Sequence, residues 1–151
     1  MGAVTYPSAK VREIINQEFV AVQQSPDAEP ISSDFWVRWT PALFVCDPYG
    51  NPHQRVVGFL PPEQLIPYLL LGKGKTYFDH RRFNDALAAF ERLISDWPQS
   101  FAAPQAIYYR AICRYRTTHD AHHLKIGHQI LKAEYPDSEW TVRTQPYLLI
   151  P

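Results

Sequence analysis

The chain has 151 residues, 46% of them hydrophobic and 14% aromatic, a composition that buries a core in one domain or two small ones. Fifteen basic residues balance fifteen acidic ones and neither sign forms a block. A nucleic acid or an anionic membrane surface therefore finds no electrostatic footprint here. The longest apolar stretch, residues 65–71, is far short of the roughly 20 residues a membrane span needs. No basic-then-apolar leader opens the sequence, so the chain as written reads as cytoplasmic. Cys46 and Cys113 have no metal-type spacing around them and read as buried small hydrophobes, not as a disulfide or a zinc site.

In chain order, Ser8 is placed to cap a helix whose apolar positions Val11, Ile14 and Ile15 share one face. Phe19 to Val22 follows as a short strand. Gln24 to Pro30 is polar and proline-bearing, a loop, and Ser32 to Trp36 forms a brief helical turn. The run Ala42 to Cys46 is apolar throughout, as in a strand covered on both faces, and Gln54 to Phe59 supplies a second strand. Asp47-Pro48-Tyr49-Gly50-Asn51 joins them as a hairpin turn, with Gly50 free to take the left-handed conformation. Pro61-Pro62-Glu63 starts a helix, because proline costs nothing where the backbone N–H has no partner. Pro67 removes one hydrogen bond and predicts a kink or a later start to regular helix. Composition shifts near Gly72 to Gly74, which divides the chain into residues 1–71 and 72–151, an α/β half followed by an all-α half.

The order helix, strand, loop, Val37-Arg38-Trp39-Thr40-Pro41, strand, Asp-Pro-x-Gly turn, strand and final helix resembles the C-terminal three quarters of a thioredoxin-like domain, over residues 3 to 71. The resemblance implies a cis Thr40–Pro41 bond and a surface at Trp39, Thr40 and Pro41 that holds extended substrate backbone. It also implies a first strand and a Cys-x-x-Cys motif, neither of which precedes Cys46 here. Cys46 in a strand and Cys113 in a helix cannot replace a thiolate activated at a helix N-terminus, so no catalytic residue and no cofactor is expected. The absent strand would leave a slot between residues 19–22 and 42–46. Direct pairing of those two strands, a strand donated by a second copy, or insertion of Tyr147 to Ile150 would close it, and self-association is the favoured expectation.

Gly74, Tyr77, Ala86, Phe90 and Pro98 fall at the spacing of the tetratricopeptide signature, and the second half resembles that family. Glycine and alanine let paired helices approach, Tyr77 and Phe90 fill the space between them, and Pro98 ends the second helix. A weaker second copy places Tyr115 and Leu131 in register but has Ile112, Leu124 and His128 at the signature's small and aromatic positions. Asp96-Trp97-Pro98-Gln99-Ser100 and Glu134-Tyr135-Pro136-Asp137-Ser138 echo one another 38 residues apart, four more than the repeat length of 34. The surplus is expected to lengthen the Thr117 to Asp120 turn. The resemblance implies a groove lined by Lys75 and Phe78 from one copy and by Tyr109, Cys113 and Arg116 from the other, open to a peptide or partner helix. Asparagines that grip a C-terminal carboxylate in some such repeats are missing at the matching positions.

His119, His122, His123 and His128 lack a supporting acidic or cysteine ligand and read as histidines near a turn, so no metal is expected there. Trp36, Trp39, Trp97 and Trp140 read as core or junction anchors. The functional expectation is a protein-binding module without catalysis. Its rival is a thiol-disulfide oxidoreductase whose Cys-x-x-Cys segment lies upstream of Met1.

Overall fold

The computed structural model describes residues 1–151. A two-stranded antiparallel sheet and two short helices form the N-terminal part, and helices form the rest. Helix α1 (Ala9–Glu18) turns Val11 and Ile14 into the core. Ser8 stands at its N-cap position, but its hydroxyl accepts no capping bond. Residues 19–22 differ from expectation. They are extended at Phe19 but pair with nothing, and Val20 is 93% exposed. A β-rich run becomes a strand only beside a partner that takes up its backbone groups, and no neighbouring strand reaches this one. Helix α2 (Ile31–Asp34) is the expected turn.

Strands β1 (Ala42–Cys46) and β2 (Pro52–Val57) form the hairpin, with Ala42 opposite Val57, Phe44 opposite Arg55 and a register shift after Val45. Their turn is held by Asp47. Its carboxylate Oδ1 accepts the N–H groups of Tyr49 and Asn51, both at 2.9 Å, and its Oδ2 accepts the Asn51 side-chain amide, also at 2.9 Å. Gly50 takes φ +89°, the left-handed conformation that a side chain would strain. Thr40–Pro41, just before β1, is cis, as is Glu29–Pro30. No third strand joins the sheet, and the C-terminal residues expected as a possible filler instead form a 3₁₀ turn, Gln145–Leu149, against the last long helix. On β1 the Leu43 carbonyl also accepts the Tyr68 hydroxyl at 2.9 Å, which ties the strand to the helix that follows the hairpin.

Helix α3 (Pro62–Asp79) runs unbroken through Pro67 and through residues 72–74. Pro67 lies early in the helix, where its missing N–H leaves only the carbonyl of exposed Glu63 without an intrahelical donor. The glycines at the compositional shift lie inside this helix and are explained by packing. At about 100° per residue, positions 72 and 74 look to nearly opposite sides. A Cβ on Gly72 would stand 2.6 Å from the Cβ of Val45 on β1, and one on Gly74 would overlap the Phe90 ring. Helix α3 is therefore squeezed between the sheet and the next helix, and only glycine fits either contact. One continuous apolar cluster, from Val11 and Val45 through Leu65, Tyr68 and Leu71 to Phe90, Leu93, Ala106 and Cys113, spans both halves.

Helices α4 (Phe83–Asp96), α5 (Ala103–Thr118) and α6 (His122–Glu134) each pack on their predecessor. Short turns make them antiparallel neighbours. In the second hairpin the close approach is inverted: the glycine is Gly127 on the later helix, facing Ala111 on the earlier one. The echoed segments are also alike in conformation. Helices α4 and α6 end at Trp97 (φ −135°, ψ 56°) and Tyr135 (φ −138°, ψ 57°), whose N–H groups bond to the carbonyls of Leu93 and Leu131. The Tyr135 hydroxyl then donates to the Pro98 carbonyl at 2.6 Å, tying one segment to the other. The α5–α6 turn spans only residues 119–121, as short as residues 80–82 between α3 and α4, so the extra length lies in residues 97–102 and the 16-residue α5. Helix α7 (Glu139–Arg143), capped by Ser138, closes the stack.

Candidate functional site

The seven residues singled out from sequence fall into two groups. Trp39, Thr40 and Pro41 lie together ahead of β1. Trp39 is 75% exposed and Trp36, held at φ +52°, is 65% exposed. Trp36 was expected as a core or junction anchor and Trp39 either as such an anchor or as part of the surface beside Pro41; both stand in solvent, because the short α2 segment offers no second layer to cover them. Trp39 and Thr40, with Pro26, Asp27, Val37 and Arg38, line an open cleft of about 230 Å³. The Arg38 guanidinium lies 5.5 Å from the Trp36 ring.

Lys75, Phe78, Tyr109 and Arg116 form the second group. Phe78 meets Tyr109 edge to face at 5.1 Å, Tyr109 stacks on Phe90 at 5.6 Å, and Trp140 from α7 closes on Tyr108 and Tyr109. Phe78 and Tyr109 are thus partly buried inter-helix packing, with little free surface. Arg116 lies over the Phe83 ring at 5.0 Å and stays exposed. Lys75 donates to Gln54 on β2 at 2.6 Å; burial pulls its ammonium below the usual lysine range, and the Asp79 carboxylate opposes that.

Cys113 is buried and Cys46 half-buried, and neither environment favours a thiolate. Burial pushes Cys113 up to about 12, and burial followed by the neighbouring Asp47 carboxylate raises Cys46. A thiolate nucleophile needs the opposite environment.

A third group had no signal in the sequence. Asp47 at the hairpin turn, His53 on β2 and His80 just past α3 converge. The Asp47 Oδ2 lies 3.4 Å from His53 Nε2 and 3.3 Å from His80 Nε2, while His53 Nδ1 lies 2.5 Å from Asp79 Oδ2. The two imidazole rings lie with centroids 5.5 Å apart, tilted 53° to one another. Hydrogen bonds from Asn51 hold the Asp47 carboxyl well below the usual range against the opposing effect of burial, with His53 and Tyr49 adding to them. No spacing rule links positions 47, 53 and 80, since the packing of α3 on the hairpin is what brings them together. The histidines noticed in the sequence do not converge in this way. His119 and His122 are exposed, and His128 is buried against the Thr144 hydroxyl at 2.9 Å.

Comparison of the chain with protein-family models, with curated proteins and with solved structures returns no match.

Proposed function

We propose that the chain is a non-catalytic protein-interaction module, a thioredoxin-like remnant continued into tetratricopeptide-like helical hairpins, and that it binds an extended peptide at Trp39, Thr40 and Pro41. The carrying observation is the exposed Trp39 in the lining of the open cleft, with a second exposed tryptophan, Trp36, three residues before it. Tryptophan is costly to leave in water and is enriched among the residues that dominate protein interfaces. Arg38 and Asp27 on the same rim supply opposite charges for a peptide backbone or side chain to meet.

The test is selection of peptides from a displayed random library against the purified chain, followed by calorimetry on the selected sequence. Trp39→Ala should weaken binding about 30-fold, the equivalent of a 2 kcal/mol anchor, and Lys132→Ala on α6 should not. Failure to enrich any peptide, or equal affinity in Trp39→Ala, would sink the proposal. A second reading, self-association through the same half, is favoured by the two-stranded sheet and the exposed, unpaired Val20 and Val22. Light scattering across a concentration series tests it: a concentration-dependent dimer abolished by Val20→Lys is expected, and a monomer throughout rejects it.

A further inference from the structure

We propose that Asp47, His53 and His80 bind one divalent transition-metal ion, zinc being the ion their donors suit, and that Asp79 orients His53 from behind. The residues offer one donor atom each, all within 4.8 Å of one another. A tetrahedral ion bound at 2.0–2.1 Å places its ligand atoms about 3.3 Å apart. The Asp47 Oδ2 already stands at 3.4 Å and 3.3 Å from the two Nε2 atoms.

The orientation of His53 points the same way. Its Nδ1 lies 2.5 Å from the Asp79 carboxylate, and its Nε2 is thereby turned toward the Asp47 carboxylate oxygen, 3.4 Å away. A carboxylate behind the distal ring nitrogen is the arrangement that fixes tautomer and raises ligand basicity in histidine metal sites. The Asp47 side chain is only 1% exposed and is held by three hydrogen bonds from its own turn, so the ligand cannot swing away. His80, 42% exposed, leaves the fourth coordination position open to water. Two imidazoles and one carboxylate without thiolate suit zinc better than the oxygen-seeking calcium or magnesium.

The experiment uses the full chain stripped with chelator, titrated with zinc by calorimetry and with cobalt(II) by visible absorption. One equivalent of zinc should bind, and cobalt should show the intense ligand-field bands of a four-coordinate site. His80→Ala, which removes an exposed side chain at no cost to the core, should abolish the cobalt bands and weaken zinc at least 100-fold, beyond the roughly 10–100-fold that loss of an outer partner costs. Asp79→Asn should fall within that smaller range with the cobalt bands retained, and His53→Gln should match His80→Ala, each variant being checked for native circular dichroism. Overturning results are an absence of stoichiometric zinc binding, or binding that survives His80→Ala and disappears with His119→Ala and His122→Ala together.

Discussion

Replacing Gly72 by alanine tests how tightly α3 lies on the sheet. The added Cβ would stand 2.6 Å from both Val45 Cβ and Val45 Cγ2 and 2.9 Å from Cγ1. Because Cβ is fixed to the β1 backbone, no rotamer change relieves the contact, and helix and sheet must part. Overpacking of this kind costs about 1–3 kcal/mol, and a contact with no flexible end belongs in the upper half of that range. Alanine returns about 1 kcal/mol of helix propensity, which leaves a net loss of about 1–2 kcal/mol. For a chain of this size, that is a fall in Tm of roughly 2–8 °C. Urea unfolding followed by tryptophan fluorescence measures the loss. The sharper assay is the double-mutant cycle with Val45→Gly, which removes the Cβ together with the two Cγ atoms. In that background Gly72→Ala should cost at least about 1 kcal/mol less, a coupling of the size seen between touching residues. If Gly72→Ala raises stability in the unaltered chain, or the two changes simply add, α3 does not press on β1 and the reasoning fails.

Glu18 at the end of α1 accepts Arg92 at 2.6 Å and Lys73 at 2.9 Å, which draws its carboxyl below the usual range although burial pushes the other way. A folded-state pKa below the unfolded one contributes stability that is complete above about pH 4.3 and is lost as pH falls through the folded value. Glu18→Gln should therefore be less stable than the unaltered chain at pH 7, with the gap narrowing in urea titrations as pH falls below about 4.3; parallel pH profiles would refute this. Neither thiol should react with a disulfide reagent at pH 8 on the timescale of mixing, and both should react after denaturation. The chain should add nothing to the uncatalysed rate of insulin reduction by dithiothreitol, and a rate above it that Cys46→Ser removes would contradict the thiol environments described.

Local pattern carried the hairpin, because Asp47, Pro48 and Gly50 each satisfy a requirement of the turn that no distant residue can supply. The helix ends at Trp97 and Tyr135 were equally legible, as the proline after each forbids continuation. What failed depended on partners far along the chain. Phe19 to Val22 has strand propensity but no strand beside it. The second hairpin kept its close approach while moving the small residues to Ala111 and Gly127, which a fixed signature does not follow. Of the expected groove, Phe78 and Tyr109 turned inward because Trp140 and Phe83 cover them. The meeting of Asp47, His53 and His80 was invisible for the same reason, being a product of tertiary packing with no periodicity of its own.

Helix α3 is about 27 Å of rod at 1.5 Å per residue, shared by two bodies with a glycine seated against each. A joint built this way has no hinge. Moving the strand hairpin relative to the later helices would have to bend α3 itself, and cutting the chain at position 72 would strip both sides of the same splint.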